Sequence, residues 1–179
     1  MPPGYRLRTY QENDNWHWAN IINSSFGGDR TDADTREQIV DRPEFESTGL
    51  FFSTYQDQPV GTACAWKWNG ADEKEVGQLH MVGVMPEHSG YRLGKWVSLA
   101  VLYYHRQQGF KCAVLGTDDF RLPAIKTYLN LDFMPIYVED DQPERWQVIF
   151  EKLKLPFISD SVDQVRTALS ENIITKIYQ

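Results

Sequence analysis

The chain has 179 residues, 18 Lys and Arg against 25 Asp and Glu for a formal charge of -7, and is 41% hydrophobic with 13% aromatic residues. That length and apolar content suit one well-filled domain rather than two, and the acidic balance repels nucleic acid and anionic membrane surfaces, which excludes both as expected partners. The longest apolar run, Trp96 to Tyr104 with one Ser, is too short to cross a bilayer, and MPPGYRLRTY lacks the apolar centre of a signal peptide, so a soluble cytoplasmic protein is expected.

In chain order, YRLRTY reads as a short strand, and QENDNWHWANIINSSFGG as a helix from about Glu12 to Ser24, terminated by Gly27 and Gly28. DADTREQIVDRPEF suggests a second short helix stopped by Pro43. GLFFSTYQDQPVGTACAWKWNG gives two β-rich runs around Asp57, Gln58 and Pro59, the pattern of an antiparallel hairpin. EVGQLHMVGV is a further strand in which Gly77 and Gly83 mark bulges or close approaches. From Gly94 to Gln108, Val97, Ala100, Val101 and Tyr104 fall at helical spacing, with Gly109 as the stop. FKCAVLG reads as a central strand, LPAIKTYLNL as a helix with Pro123 in its first turn, and FMPIYVEDDQPERWQVIFEKL as two strands around an acidic loop. Cys64 and Cys112 both sit in strand-like runs, which fits buried reduced thiols better than a disulfide or a metal site.

The link between the Gly83 strand and the following helix is the most informative stretch. GVMPEHSGYRLGK leaves a strand, passes Gly90 and Gly94 with Arg92 and Lys95 nearby, and opens a helix. Unpaired backbone N–H groups and the positive end of the helix dipole at such a turn favour phosphate. It is not a Walker loop, because three residues rather than four separate the glycines and Trp96 follows Lys95. It is not the dinucleotide fingerprint either, since no G-x-G-x-x-G trio is present.

The element order and two motifs resemble the GNAT superfamily of acyl-CoA-dependent N-acyltransferases. That family's cofactor signature is a strand, a turn of the form Gln/Arg-x-x-Gly-x-Gly/Ala, and a helix; here Ser89 stands in the Gln/Arg place, Arg92 in the first Gly place and Gly94 in the last. The family's second signature, Asn-x-x-Ala-x-x-x-Tyr followed by Gly-Phe, is repeated by RLPAIKTYLNLDF through Ala124, Tyr128 and Phe133, with Arg121 in place of Asn and Asp132 in place of Gly. Together the motifs span about Val76 to Phe133, while the first third matches in element order alone. Without a Gly at position 92, the turn requires Arg92 either to take an ordinary right-handed conformation or to turn its side chain outward.

The resemblance implies an α/β fold with a mixed, mostly antiparallel sheet of six to seven strands flanked by about four helices. Residues 1–155 would form a single domain, and 156–179 an extension of a short helix and tail that covers the core or mediates dimerisation. It implies acetyl-CoA as cosubstrate and no metal. The pyrophosphate would lie on the backbone N–H groups of Ser89, Gly90, Tyr91, Arg92, Leu93, Gly94 and Lys95, with charge-assisted contacts from Arg92 and Lys95. The pantetheine arm would pair like an added strand with the free edge of Val82, Gly83 and Val84, with Arg121, Ala124 and Tyr128 on the facing helix.

The expected reaction is acetyl transfer from acetyl-CoA to a primary, small-molecule amine. An alkylammonium with pKa near 10.4 is neutral in about one molecule in 2,500 at pH 7, a handicap of about 4.6 kcal/mol that a base must offset. Tyr128 stands where the family's general acid stands and would give the leaving thiolate its proton. His80, in LHMVGV, is similar to a strand His of arylalkylamine N-acetyltransferases linked to amine deprotonation. Strand alternation puts His80 and Val82 on one face with Gln78 beside them, and Glu75 is the alternative base. The acceptor pocket is expected near Trp16, Trp18, Phe26, Asp29, Gln78, Glu75 and the VEDDQPER loop, whose Glu139, Asp140 and Asp141 either attract a cationic amine or, as is commoner for an acidic hairpin loop, form a solvated tip. A non-catalytic acyl-CoA sensor is the alternative function.

Overall fold

The chain is described by a computed structural model covering residues 1–68 and 76–156 and the backbone of Thr167 and Ala168. Strand β1 (Tyr5–Thr9) pairs antiparallel with β2 (Leu50–Tyr55), and β2 turns tightly into β3 (Gln58–Lys67). The turn residues Gln56 and Asp57 both have positive φ, 49° and 64°, as the mirror-image turns that match strand twist require. Strand β4 (Val76–Val84) follows antiparallel, β5 (Cys112–Val114) pairs parallel to β4, and the two-residue β6 (Thr167–Ala168) pairs antiparallel with β5. Among the described residues the sheet therefore has six strands in sequence order, β1 to β6, which bears out the expected mixed and mostly antiparallel architecture.

Eight consecutive residues of β3, Pro59 to Trp66, are buried, because helices cover both faces of the sheet. On one face lies α1 (Asn15–Phe26), whose Trp18, Ile21 and Ile22 pack with Phe52, Cys64 and Trp66. On the other lies α3 (Leu93–Gln107), whose Val97, Val101 and Leu102 pack with Ala63, Ala65, Leu79 and Tyr128 of α4 (Leu122–Leu129). Helix α1 starts at Asn15 rather than Glu12 because Asn13 is left-handed (φ 75°) and the Asp14 carboxylate is held by Arg8 and by the Gln11 N–H at 2.6 Å. The second short helix, α2 (Asp32–Thr35), opens on a reciprocal Thr31–Asp34 cap, continues as one wider turn through Val40 and ends before Pro43.

One expected pair of strands is absent. WQVIFEKL is not a strand but part of α5 (Gln142–Leu153), with Pro143 in the first turn. Trp146, Ile149, Phe150 and Leu153 recur at helical rather than alternating spacing, and Ile149 and Phe150 are buried. The acidic run Glu139 to Asp141 is thus the approach to a helix N-terminus, where negative charge is favourable, and not a hairpin tip. The expected C-terminal extension helix and tail lie outside the described residues, apart from the β6 backbone. Both cysteines are buried thiols not joined in a disulfide, and burial pushes the Cys64 thiol pKa up, so it stays protonated.

Both strand glycines act by close approach. A Cβ on Gly77 would fall 2.7 Å from the ring of His105, which is fully buried on α3 and donates from Nε2 to the Gln78 carbonyl at 3.2 Å. A Cβ on Gly83 would meet Ser25, Ile22 and Ile21 of α1 at 3.0 to 3.3 Å. Between them β4 bulges: Thr62 faces Gly83 but Cys64 faces His80, and Met81 in the gap has φ 51°.

Candidate active site

The pairing of β4 with β5 lasts three residues, Val76 with Cys112 to Gln78 with Val114, while β4 runs on to Val84. Past Gln78 the two strands are no longer partners, and among the described residues no strand takes the edge of β4 that β5 would take. This is the opening into which an extended ligand arm can pair.

Below it, the chain makes a short turn from Pro86 to His88, passes Gly90 (φ 86°) and Arg92 (φ 59°), and enters α3. Among the described residues no side chain caps α3, so the first-turn amides of Leu93, Gly94 and Lys95, which a helix leaves without internal partners, are available to an anion at the positive end of the dipole. Gly94 keeps the approach open, since the nearest atom to a Cβ there is Val84 Cγ2 at 3.9 Å. The Ser89 N–H is not among these donors, because it bonds the Pro86 carbonyl at 3.0 Å. Arg92 does not take the right-handed conformation; it adopts the left-handed one a Gly would hold, with its side chain exposed. These residues fit a bound pyrophosphate: the helix end is uncapped, a Cβ is missing where the ligand would approach, and two cations flank it.

Tyr128 is 9% exposed and packs with Leu79 and Val82 of β4, its ring edge-on to Phe133 at 6.1 Å. It lines a cavity of about 500 Å³ with Ala113, Leu115, Ile125, Phe133 and Trp146. Burial raises its phenol pKa to about 12, against a smaller lowering by the nearby Arg121 charge. The hydroxyl is therefore a proton donor throughout the neutral range.

His80 is on the other face of β4. It is opposite Cys64, and its ring lies 5.3 Å from that of Trp66, in the α1-side packing. Because the bulge at Met81 adds one residue to β4, His80 and Val82 do not share a face as alternation implies: Val82 packs on the α3 side. Burial lowers the His80 pKa, which leaves the imidazole neutral and able to accept a proton at pH 7.

The expected acceptor residues divide. Trp18 is fully buried in the α1 core and presents no surface to a ligand, as a large apolar residue on the inner stripe of a helix should not. Gln78 and Phe26 are half-buried near the opening, Trp16 is exposed, and Glu75 lies outside the described residues. Arg121 and Phe26, expected to serve different ligands, touch each other: the guanidinium lies 4.0 Å from the Phe26 ring centre. Sequence reasoning missed this contact and the role of His105; its helical spacing alone could have placed His105 on the buried stripe of α3, but not against Gly77.

Residues 15–133 match the family model described as the Acetyltransferase (GNAT) family. A mycothiol acetyltransferase from Nocardia farcinica is 31% identical over 146 residues, covering 78% of this chain and 48% of the relative; the chain spans about half the length of the curated relatives it matches. Two solved structures share the fold. The ribosomal-protein-S18-alanine N-acetyltransferase of Escherichia coli has a TM-score of 0.61 at 13% identity, covering 74% of this chain and 79% of that one. An acetyltransferase from Salmonella typhimurium, solved with its cofactor acetyl-CoA, has a TM-score of 0.58 at 17% identity, covering 73% and 80%. The uncapped α3 terminus, the parting of β4 from β5 and Tyr128 on the facing helix all fall within or beside the matched residues, and the chain belongs to the Acetyltransferase (GNAT) family.

Proposed function

We propose that the protein transfers an acetyl group from acetyl-CoA to a primary amine of a small molecule. The observation that carries this reading is the opening between β4 and β5 with the free amides of Leu93, Gly94 and Lys95 at its base and the Tyr128 phenol on its flank. The amides and the Arg92 and Lys95 charges hold the pyrophosphate, and the free edge of Val82 to Val84 pairs with the pantetheine arm. Acetyl-CoA supplies an activated thioester.

In the transfer, the amine nitrogen bonds to the carbonyl carbon and the carbon–sulfur bond breaks with its electron pair passing to sulfur. Tyr128 gives that sulfur its proton. The nitrogen loses a proton to neutral His80, directly or through water. Holding the two substrates in register supplies the remainder of the acceleration, since both are ordered before bonds change.

The experiment is free-thiol release from acetyl-CoA across a panel of primary amines, with thermal stabilisation by acetyl-CoA measured alongside. Stabilisation with amine-dependent thiol release supports the proposal. Stabilisation with no release on any amine would leave an acyl-CoA sensor, and neither effect would remove the ligand as well.

A further inference from the structure

We propose that the Arg121–Phe26 stack couples the two walls of the opening, and that Arg121 is a positioning residue for the transfer; this rests on the acetyltransferase reading above. Phe26 is the last residue of α1. The turn that carries it is fixed to the free end of β4, because Gly83 lets Ile21, Ile22 and Ser25 sit against the strand, and Ser25 Oγ lies 2.9 Å from the Val84 carbonyl. Phe26 is therefore a projection from the β4 side.

Arg121 comes from the other side. It directly precedes α4, its carbonyl accepts from the Ala124 and Ile125 amides at 2.9 and 3.0 Å, and its Nε donates to Asp118 at 2.8 Å. Its side chain is 22% exposed. The guanidinium rests on Phe26 at 4.0 Å, with Phe120 at 5.2 Å. A planar cation on a ring face is an oriented, partly desolvated contact, and this one joins the end of β4 to the start of α4 where β4 and β5 no longer hold each other.

The same side chain bears on the acid. Tyr128 follows Arg121 by seven residues, two helical turns, and helical side chains lean toward the N-terminus, so the hydroxyl is directed toward the end that Arg121 occupies. Its charge opposes the effect of burial on the phenol and favours the negative charge that develops on the departing sulfur. Stacking on Phe26 thus fixes both the α1 wall, where the acceptor approaches, and the cation beside the leaving group. An Asn at this position would be too short to reach the ring.

The test is a double-mutant cycle of Arg121→Gln and Phe26→Leu, with Phe26→Tyr and Arg121→Lys as conservative controls. Each of the two disruptive variants should lower kcat/KM for the best amine of the panel by about tenfold, the double variant by no more than the worse single, and CoA affinity by calorimetry should stay within about twofold. Phe26→Tyr, which keeps the ring face, should leave the hydrogen exchange of the Asn23 to Phe26 amides at the wild-type rate, and Arg121→Lys should recover only part of the activity lost in Arg121→Gln. Multiplying losses in the double variant would overturn the coupling, as would a collapse of CoA affinity in Arg121→Gln but not in Phe26→Leu, which would make Arg121 a plain cofactor ligand. Hydrogen exchange of the Asn23 to Phe26 amides reads the coupling without turnover: both single variants should exchange about threefold to tenfold faster, the double no faster still, and wild-type exchange in Arg121→Gln would overturn the proposal. A wild-type protein that binds no CoA would end the acetyltransferase reading while the exchange cycle still decides the contact.

Discussion

Replacing Tyr128 by Phe removes one hydroxyl and leaves the ring against Phe133 and Leu79, so the folded state should be almost unaffected. With the phenol pKa raised to about 12, about one molecule in 10,000 is ionised at pH 8, and Tyr128 holds its proton across the whole assay range. The hydroxyl can therefore act as a donor and not as a base, and no alkaline limb from its ionisation should appear below about pH 11. Loss of general acid catalysis is expected to lower kcat by about 100- to 10,000-fold, or about 3 to 5 kcal/mol, with CoA affinity near wild type. The sharper assay compares acyl donors. A thioester with a lower-pKa thiol releases its thiolate unaided, so its turnover should be much less sensitive to Tyr128→Phe than that of acetyl-CoA. Equal sensitivity to both donors, or wild-type turnover in the variant, would refute the role and leave Tyr128 a core aromatic.

Three further outcomes are expected. If neutral His80 takes the amine proton, kcat/KM should rise with pH through a limb below the ordinary histidine pKa of 6.5, since burial lowers it, and His80→Gln should abolish that limb with CoA affinity intact. Arg92→Gly should raise stability by about 1 kcal/mol in urea unfolding, because a non-glycine residue at φ 59° carries that strain, whereas Arg92→Ala should bring no gain. His105 has its pKa lowered from 6.5 to about 4 by burial, so below pH 6.5 the unfolded chain binds a proton that the folded one refuses. Stability should fall as pH drops from 6.5, by about 3 kcal/mol in total below the folded value, and His105→Gln should lose that part of the pH dependence.

The strand β4, the helix α3 after its glycine-bearing link and the helix α4 were legible because they rest on short-range signals: a glycine-bearing link between an apolar strand and an amphipathic helix, and the Ala124, Tyr128, Phe133 spacing. The α5 segment was misread for a local reason. IYVEDDQPERWQVIF contains β-branched and aromatic residues at both ends, and its helical stripe of Trp146, Ile149, Phe150 and Leu153 shows only when counted by threes and fours. The faces of β4 were not legible past Leu79, because a bulge at Met81 adds one residue without any Gly or Pro to announce it. Trp18 was open to either reading, as an aromatic on a helix near a site serves equally as core or as lining. The Arg121–Phe26 contact joins residues 95 positions apart, the last of α1 and the one before α4, and no periodicity reports such a pair.

The central claim is that the start of α3 holds the phosphates of an acyl-CoA, and calorimetric titration of CoA into wild type and Gly94→Glu tests it most directly. The backbone at Gly94 tolerates a side chain, with only Val84 Cγ2 near the Cβ position at 3.9 Å, and a carboxylate in the first turn favours the helix by about 0.3 to 1 kcal/mol. The variant should melt at or above the wild-type temperature yet bind CoA about 100-fold more weakly or worse, because the new charge faces the pyrophosphate. CoA binding of equal affinity in wild type and variant, or no binding by the wild-type protein, would contradict it.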